Sequence, residues 1–249
     1  MLRAYGDGNL FGEPYGGGPV RVIWLHGWGR RGQDFAAAAS ALARDGVASI
    51  AFDLPGFGAS PAPRVAGGGR SYAEILIPAL QSLGDEPLVL VGHSFGGRIA
   101  TVVASREPDL VRALVLTGVP LLRGSSTTAP PLRFRLIRWL RRRGIVSEGQ
   151  MESARQRYGS ADYRQAHGVM RDVVVAMVNE SYDEELANIV APVTMLWGAL
   201  DRETPLATAT RAAALLREPP SLYVLENVGH FVPTDAPADL AQRVLEALA

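Results

Sequence analysis

The chain has 249 residues, 47% of them apolar and 20% charged, which excludes a disordered chain and leaves enough apolar side chains for a large core. Its 25 basic and 25 acidic residues cancel, and that balance argues against a uniformly basic nucleic-acid binder. It contains neither Lys nor Cys, so Schiff-base and P-loop lysines, disulfides, thiolate nucleophiles and Cys-held metals are excluded.

The N-terminal stretch Met1–Pro19 is Gly-rich and predicts one or two short, weak strands. It shows no apolar leader, and no apolar run in the chain is long enough to span a bilayer, so a cytoplasmic protein is expected. From Val20 onward, short apolar runs alternate with helical patterns. Strands are predicted at Val20–His26, Ala48–Asp53, Leu88–Gly92 and Val111–Thr117, with helices near Asp34–Arg44, Tyr72–Leu83 and Gly96–Arg106 between them. Continuous apolar strands separated by helices indicate a parallel sheet covered on both faces. The alternation stops near Val119 and resumes at Val193–Trp197, followed by a helix near Leu206–Arg217, a strand at Leu222–Leu225 and a helix near Ala238–Leu248. The reading is one α/β core formed by residues 1–118 and 191–249, interrupted by a helical insertion over 119–190.

Gly92-His93-Ser94-Phe95-Gly96 fits G-x-S-x-G between a predicted strand and a predicted helix, the setting of a nucleophile elbow. Gly on both sides lets strand and helix approach, and the Ser hydroxyl then stands at a helix N-terminus that favours a developing anion. A Ser needs a base. Of four His, His93 adjoins the Ser and must point away from it, His26 ends a strand in His26-Gly-Trp-Gly, and His167 lies in the insertion. His230, on the loop after the last strand, is the base by elimination and topology. Asp201, just past Val193–Trp197, is the acid that would orient it, with Glu203 as the alternative; Asp201 could instead cap the helix beginning near Pro205. The oxyanion donors expected are the backbone N–H of Phe95 and that of Trp28, whose indole would wall the acyl pocket.

Elbow, Ser94–Asp201–His230 order, the His-Gly-Trp-Gly loop and Asp53-Leu-Pro-Gly-Phe-Gly-Ala-Ser together resemble the α/β-hydrolase superfamily over nearly the whole chain. The His-Gly-Trp form resembles small carboxylesterases of the pimeloyl carrier-protein methyl ester esterase type. The resemblance implies a mostly parallel eight-stranded sheet flanked by helices, with 119–190 as a helical cap over the site. It implies the residue matching Trp28 as an oxyanion donor. Dehalogenases and epoxide hydrolases of the superfamily carry Asp where this chain has Ser94, so those reactions are excluded. Asp53 reads as a loop-ordering residue.

The expected activity is hydrolysis of a small-molecule carboxylic ester through an acyl-enzyme, with no cofactor or metal. The same triad also serves thioesters, lactones, C–C bond hydrolysis and cofactor-free perhydrolysis, and a ligand receptor with vestigial hydrolysis is the alternative of another class. Candidate substrate contacts are Trp28, Phe134, Trp139, Tyr158, Tyr163 and Phe231. Arg133, Arg135, Arg138, Arg141, Arg142 and Arg143 fall within one stretch, and residues 119–190 hold 11 Arg against 8 acidic residues. That stretch is a solvated helix face or a docking surface for an acidic partner such as a carrier protein or for a membrane surface. A monomer or homodimer is expected.

Overall fold

The computed structural model describes residues 1–123, 137, 139–141, 143–158 and 161–249. Its sheet has eight strands: β1 (Arg3–Tyr5), β2 (Leu10–Tyr15), β3 (Val20–Leu25), β4 (Ala48–Asp53), β5 (Leu88–His93), β6 (Val111–Thr117), β7 (Val193–Gly198) and β8 (Ser221–Leu225). In space they run β1-β2-β4-β3-β5-β6-β7-β8. The first two pair antiparallel, β2 also lies antiparallel to β4, and every other pair is parallel. The Gly-rich start thus forms a two-stranded edge, and the six predicted strands form the parallel body.

The apolar runs are continuous because consecutive residues are buried on opposite faces. Ile23, Leu25, Leu90, Leu114 and Leu116 belong to one cluster; Val22, Trp24, Val89, Ala113 and Val115 belong to the other. The first face is covered by α2 (Gly69–Gln81) and α3 (Phe95–Arg106), and the second by α1 (Ala36–Arg44) and, at the end of the chain, the helix Pro237–Leu248. Removing one of these fully enclosed Leu side chains would cost about 2–5 kcal/mol.

Between β6 and β7 the described residues contain no strand. They form α4 (Glu148–Tyr158), α5 (Ala161–Gln165), α6 (Val169–Asn179) and α7 (Asp183–Asn188). After β7 come α8 (Leu206–Ala213), α9 (Val232–Asp235) and α10 (Pro237–Leu248). Among the described residues no helix is long and apolar enough to cross a membrane.

The chain leaves β3 toward β4 on one side and reaches β5 on the other. That reversal opens a crevice beyond the C-terminal ends of β3 and β5, the place where open α/β sheets bind ligands. The His26-Gly-Trp-Gly loop and Ser94 emerge there.

Candidate active site

Ser94 follows β5 with φ +48°, one of only two non-Gly residues at positive φ among the described residues. Such a backbone costs of order 1–3 kcal/mol and persists only where its surroundings enforce it. Here they do. A Cβ on Gly96 would lie 2.1 Å from the Leu25 carbonyl oxygen, and one on Gly92 would lie 2.4 Å from Gly97 Cα. Strand, turn and helix meet at backbone contact, which only glycine permits. Ser94 N–H donates to Thr117 O (3.0 Å) and Gly96 N–H to His26 O (2.9 Å), tying the turn to both neighbouring strands.

His230 stands on the loop between β8 and α9, and its Nδ1–H donates to Asp201 Oδ2 at 2.8 Å, with both side chains buried. With Nδ1 engaged by Asp201, Nε2 is the ring nitrogen left to accept a proton from a neighbouring hydroxyl. Asp201 orders a turn rather than capping the helix that follows. Its Oδ1 accepts the N–H groups of Glu203 (2.9 Å) and Thr204 (2.8 Å), ordering the turn after β7, while Oδ2 holds the imidazole. The turn it orders ends before α8, whose N-cap is Pro205. Glu203 lies on the other side of the ring, with Oε2 at 3.6 Å from Nε2.

Two neighbours of His230 carry no motif signal. Gly118 (φ +59°) passes so close that a Cβ would be 2.9 Å from His230 Cε1 and 3.4 Å from Asp201 Oδ2. His93 turns away from Ser94, as its place beside the elbow requires, and its Nε2–H donates to the His230 carbonyl at 3.0 Å. Burial, then the neighbouring His230, pushes the His93 imidazole down to about 3, so it acts as a neutral tether. His26 is likewise enclosed. Its Nδ1–H donates to Gly27 O (2.7 Å), its Nε2 accepts Leu54 N–H (2.9 Å), and burial pushes it down to about 4. Asp53 orders its loop by accepting Gly32 N–H (2.9 Å) and Ala59 N–H (2.8 Å).

Phe95 is the first residue of α3, so its N–H has no intrahelical acceptor. The Trp28 loop lies against the elbow. A Cβ on Gly27 would be 2.8 Å from His93 Nδ1 and 3.4 Å from Ser94 Cβ. The Trp28 ring packs edge-on against Phe57 and Phe95 at 4.9 and 5.6 Å.

A cleft of about 230 Å³ opens over Ser94. Trp28, Phe95, His230, Glu203 and Thr204 line it from the core. Asp162, Met177 and Val178 line it from α5 and α6. Arg98, Pro120, Leu122 and Arg123 complete it. Desolvation and then the Glu203 charge hold the Asp162 carboxyl above its ordinary range, while His230 pulls it down. Of the other proposed substrate contacts, Tyr163 is buried between helices, with Ala166 and Val174 and against Trp28, and its hydroxyl donates to Glu152. Trp139 is half exposed beneath the Arg143 guanidinium, 4.3 Å from its ring. Phe231 packs edge-on against His230 at 5.3 Å, with Arg30 over it at 5.0 Å. None of these three lines the cleft. They point elsewhere because their helices and loop bury or stack them first. Phe134, the side chain of Tyr158, and Arg133, Arg135, Arg138 and Arg142 lie outside the described residues, and His167 is exposed. Helical periodicity shows that one face of α6 is apolar, but not that Met177 overlooks Ser94.

The alpha/beta hydrolase fold family matches residues 20–155. The pimeloyl-[acyl-carrier protein] methyl ester esterase of Chromobacterium violaceum is 43% identical over 43% of this chain and 40% of its own length. The 2-hydroxy-6-oxo-2,4-heptadienoate hydrolase of Pseudomonas putida is 30% identical over 74% of this chain and 71% of its own. In fold, the chain is similar to the esterase from Exiguobacterium antarcticum, with a TM-score of 0.75 and 19% identity over 100% of this chain and 99% of that one.

Proposed function

The chain belongs to the alpha/beta hydrolase fold family and is a hydrolase, and from that premise we propose that it cleaves carboxylic esters through an acyl-enzyme. The observation that carries the reading is the buried His230–Asp201 pair at 2.8 Å together with a backbone-strained Ser94, with Ser94 and His230 opening on one cleft. Ser94 Oγ attacks the ester carbonyl as His230 Nε2 takes its proton. Asp201 holds the Nδ1–H tautomer and stabilises the imidazolium. The N–H groups of Trp28 and Phe95 meet the carbonyl oxygen as it becomes negative. His230 returns the proton to the leaving alcohol; water then enters, loses a proton to His230, and releases the acid from Ser94. Helices α4–α7, inserted between β6 and β7, are read as the cap that shapes the substrate pocket. An acidic carrier protein bearing the ester fits the Arg-rich stretch 133–143, a reading supported by its charge and by the carrier-protein ester in the name of the Chromobacterium relative.

Hydrolysis of p-nitrophenyl esters of increasing chain length, with Ser94→Ala alongside, tests the reading. Sustained turnover that Ser94→Ala abolishes is expected. Turnover equal in both proteins would remove Ser94 from the mechanism. A folded protein inactive on every ester would shift the assignment to the other reactions this triad serves, C–C bond hydrolysis first.

A further inference from the structure

Arg98 is the buried one of the two arginines of the core helix α3, a single turn beyond Ser94, and only 8% of its surface is exposed. A buried charge is expected to be paired. This one is not. Nη1 donates to the Met177 carbonyl at 2.5 Å, the guanidinium lies 6.0 Å from the Tyr182 ring, and the enclosed Nε–H has no acceptor. Among the described residues it has no carboxylate partner. Glu180, the nearest acid by charge effect, is spent elsewhere: it accepts Gly69 N–H at 2.7 Å and the Tyr182 hydroxyl at 2.5 Å, and faces Arg70 at 4.0 Å. Burial pulls the Arg98 guanidinium below its ordinary range, and Tyr182 and Glu180 offset that only in part. Arg98 nonetheless lines the cleft over Ser94, where an exposed second arginine, Arg123, joins it, donating to Asn179 O at the end of α6.

The cleft is therefore polarised. Its cationic side is Arg98 and Arg123, with apolar Met177 and Val178 beside them; its anionic side is Glu203 and Asp162, next to His230. His230 delivers its proton to the leaving alcohol, so the alcohol sits on the anionic side, where a second negative charge would be repelled. The acyl chain extends toward Arg98. Resting on the serine-esterase reading, we infer that Arg98 forms an anion subsite for a carboxylate at the far end of the acyl chain, so the preferred substrates are monoesters of dicarboxylic acids. A carboxylate carries the single charge that one buried guanidinium can balance and accepts its N–H groups in plane.

The test pairs monoethyl esters of dicarboxylic acids, succinyl through suberyl, with ethyl esters of neutral acids of equal length, followed by proton release. At the best length the acid-ended ester should exceed its neutral partner in kcat/KM by at least about tenfold. Arg98→Met should bring that ratio to within about threefold of one, and Arg98→Lys should leave it intermediate. The ratio is internal to each protein, so general damage to a variant does not mimic the result, and the wild-type ratio stands even if a variant fails to fold. Neutral esters hydrolysed with no preference for acid-ended ones at any length would overturn the subsite while leaving the esterase standing. If no ester turns over, the esterase reading falls, and calorimetry on Ser94→Ala decides the subsite alone. Glutarate binding at least tenfold tighter than butyrate would support it, and equal binding would sink it.

Discussion

The C-terminal edge of the sheet and the helices inserted between β6 and β7 are built on different terms. At the sheet edge, Ser94, Asp201 and His230 are fixed largely by backbone contact: glycines with no room for a methyl and a strained turn, with the buried His230–Asp201 hydrogen bond set among them. The insertion is held where it meets the core by side chains. Arg70 grips Glu185 at 2.5 and 2.9 Å and the Ser181 carbonyl at 2.8 Å. Arg123 and Arg98 hold carbonyls at the end of α6, and Trp28 packs against the Tyr163 cluster. Backbone contact has almost no tolerance and suits the reacting atoms. Side-chain anchors can be exchanged one at a time, which suits the part of the cleft proposed to receive the substrate.

The largest expected effect lies at the edge. Ser94→Ala or His230→Ala should lower kcat by about 10⁴–10⁶, and Asp201→Asn by about 10³–10⁴, on the precedent of other triad enzymes. A tenfold loss on any folded ester-cleaving preparation of Ser94→Ala would break the contrast by removing the edge from the chemistry. Gly118→Ala probes the same region without replacing a reacting group. One methyl at φ +59°, 2.9 Å from His230 Cε1, should displace the His230–Asp201 pair. A loss of about 10²-fold in kcat, with roughly 1–3 kcal/mol of stability, is expected from steady-state kinetics and denaturant unfolding.

The third prediction concerns stability against pH. His26 and His93 are pushed from the ordinary 6.5 down to about 4 and about 3. The unfolded chain therefore takes up these protons first, so their contribution is complete above about pH 6.5 and is lost as pH falls toward 4 and then 3. Each adds a slope of up to about 1.4 kcal/mol per pH unit within its window. Urea midpoints between pH 7 and 4 would show it, and His26→Gln should flatten the upper part of the fall. The smallest effect belongs to the insertion. Arg70 and Glu185, paired at the boundary, should show a coupling energy of about 1 kcal/mol or less in a double-mutant cycle. Arg70→Ala should raise KM for long acyl esters a few-fold and move kcat less. A collapse of kcat would mean that the insertion holds the reacting atoms as well.

What the sequence made legible follows the same division. Apolar runs located all six parallel strands; in the inner ones burial on both faces leaves an unbroken signature, as in Leu88–Val91, whereas β8 at the sheet edge carries the run with its side chains largely exposed. The elbow and the Asp201 and His230 loops were readable because their chemistry demands fixed residue types at strand ends. Gly118 was not readable. A lone Gly after a strand has many causes, and its reason here is a ring contributed more than a hundred residues later. Arg98 was hidden in the same way, inside a helical run where only the packing of α6 shows that it is buried with no carboxylate partner among the described residues. Trp139, Tyr163 and Phe231 misled because aromatic residues fill cores and stack on arginines as readily as they line pockets. Trp28 was legible because its loop has a second constraint, the glycines that bring it against the elbow.

The hydrogen bond from His93 to the carbonyl of His230 spans a sequence separation of 137 residues. Ser94 and its turn need only β3, β5, β6 and α3 to take shape. His230, the proposed base, arrives with the last strands, after the longest loop closure in the site. During refolding, the elbow can be complete while the molecule is still inert, and recovery of hydrolysis times the docking of β7 and β8 on a sheet already formed.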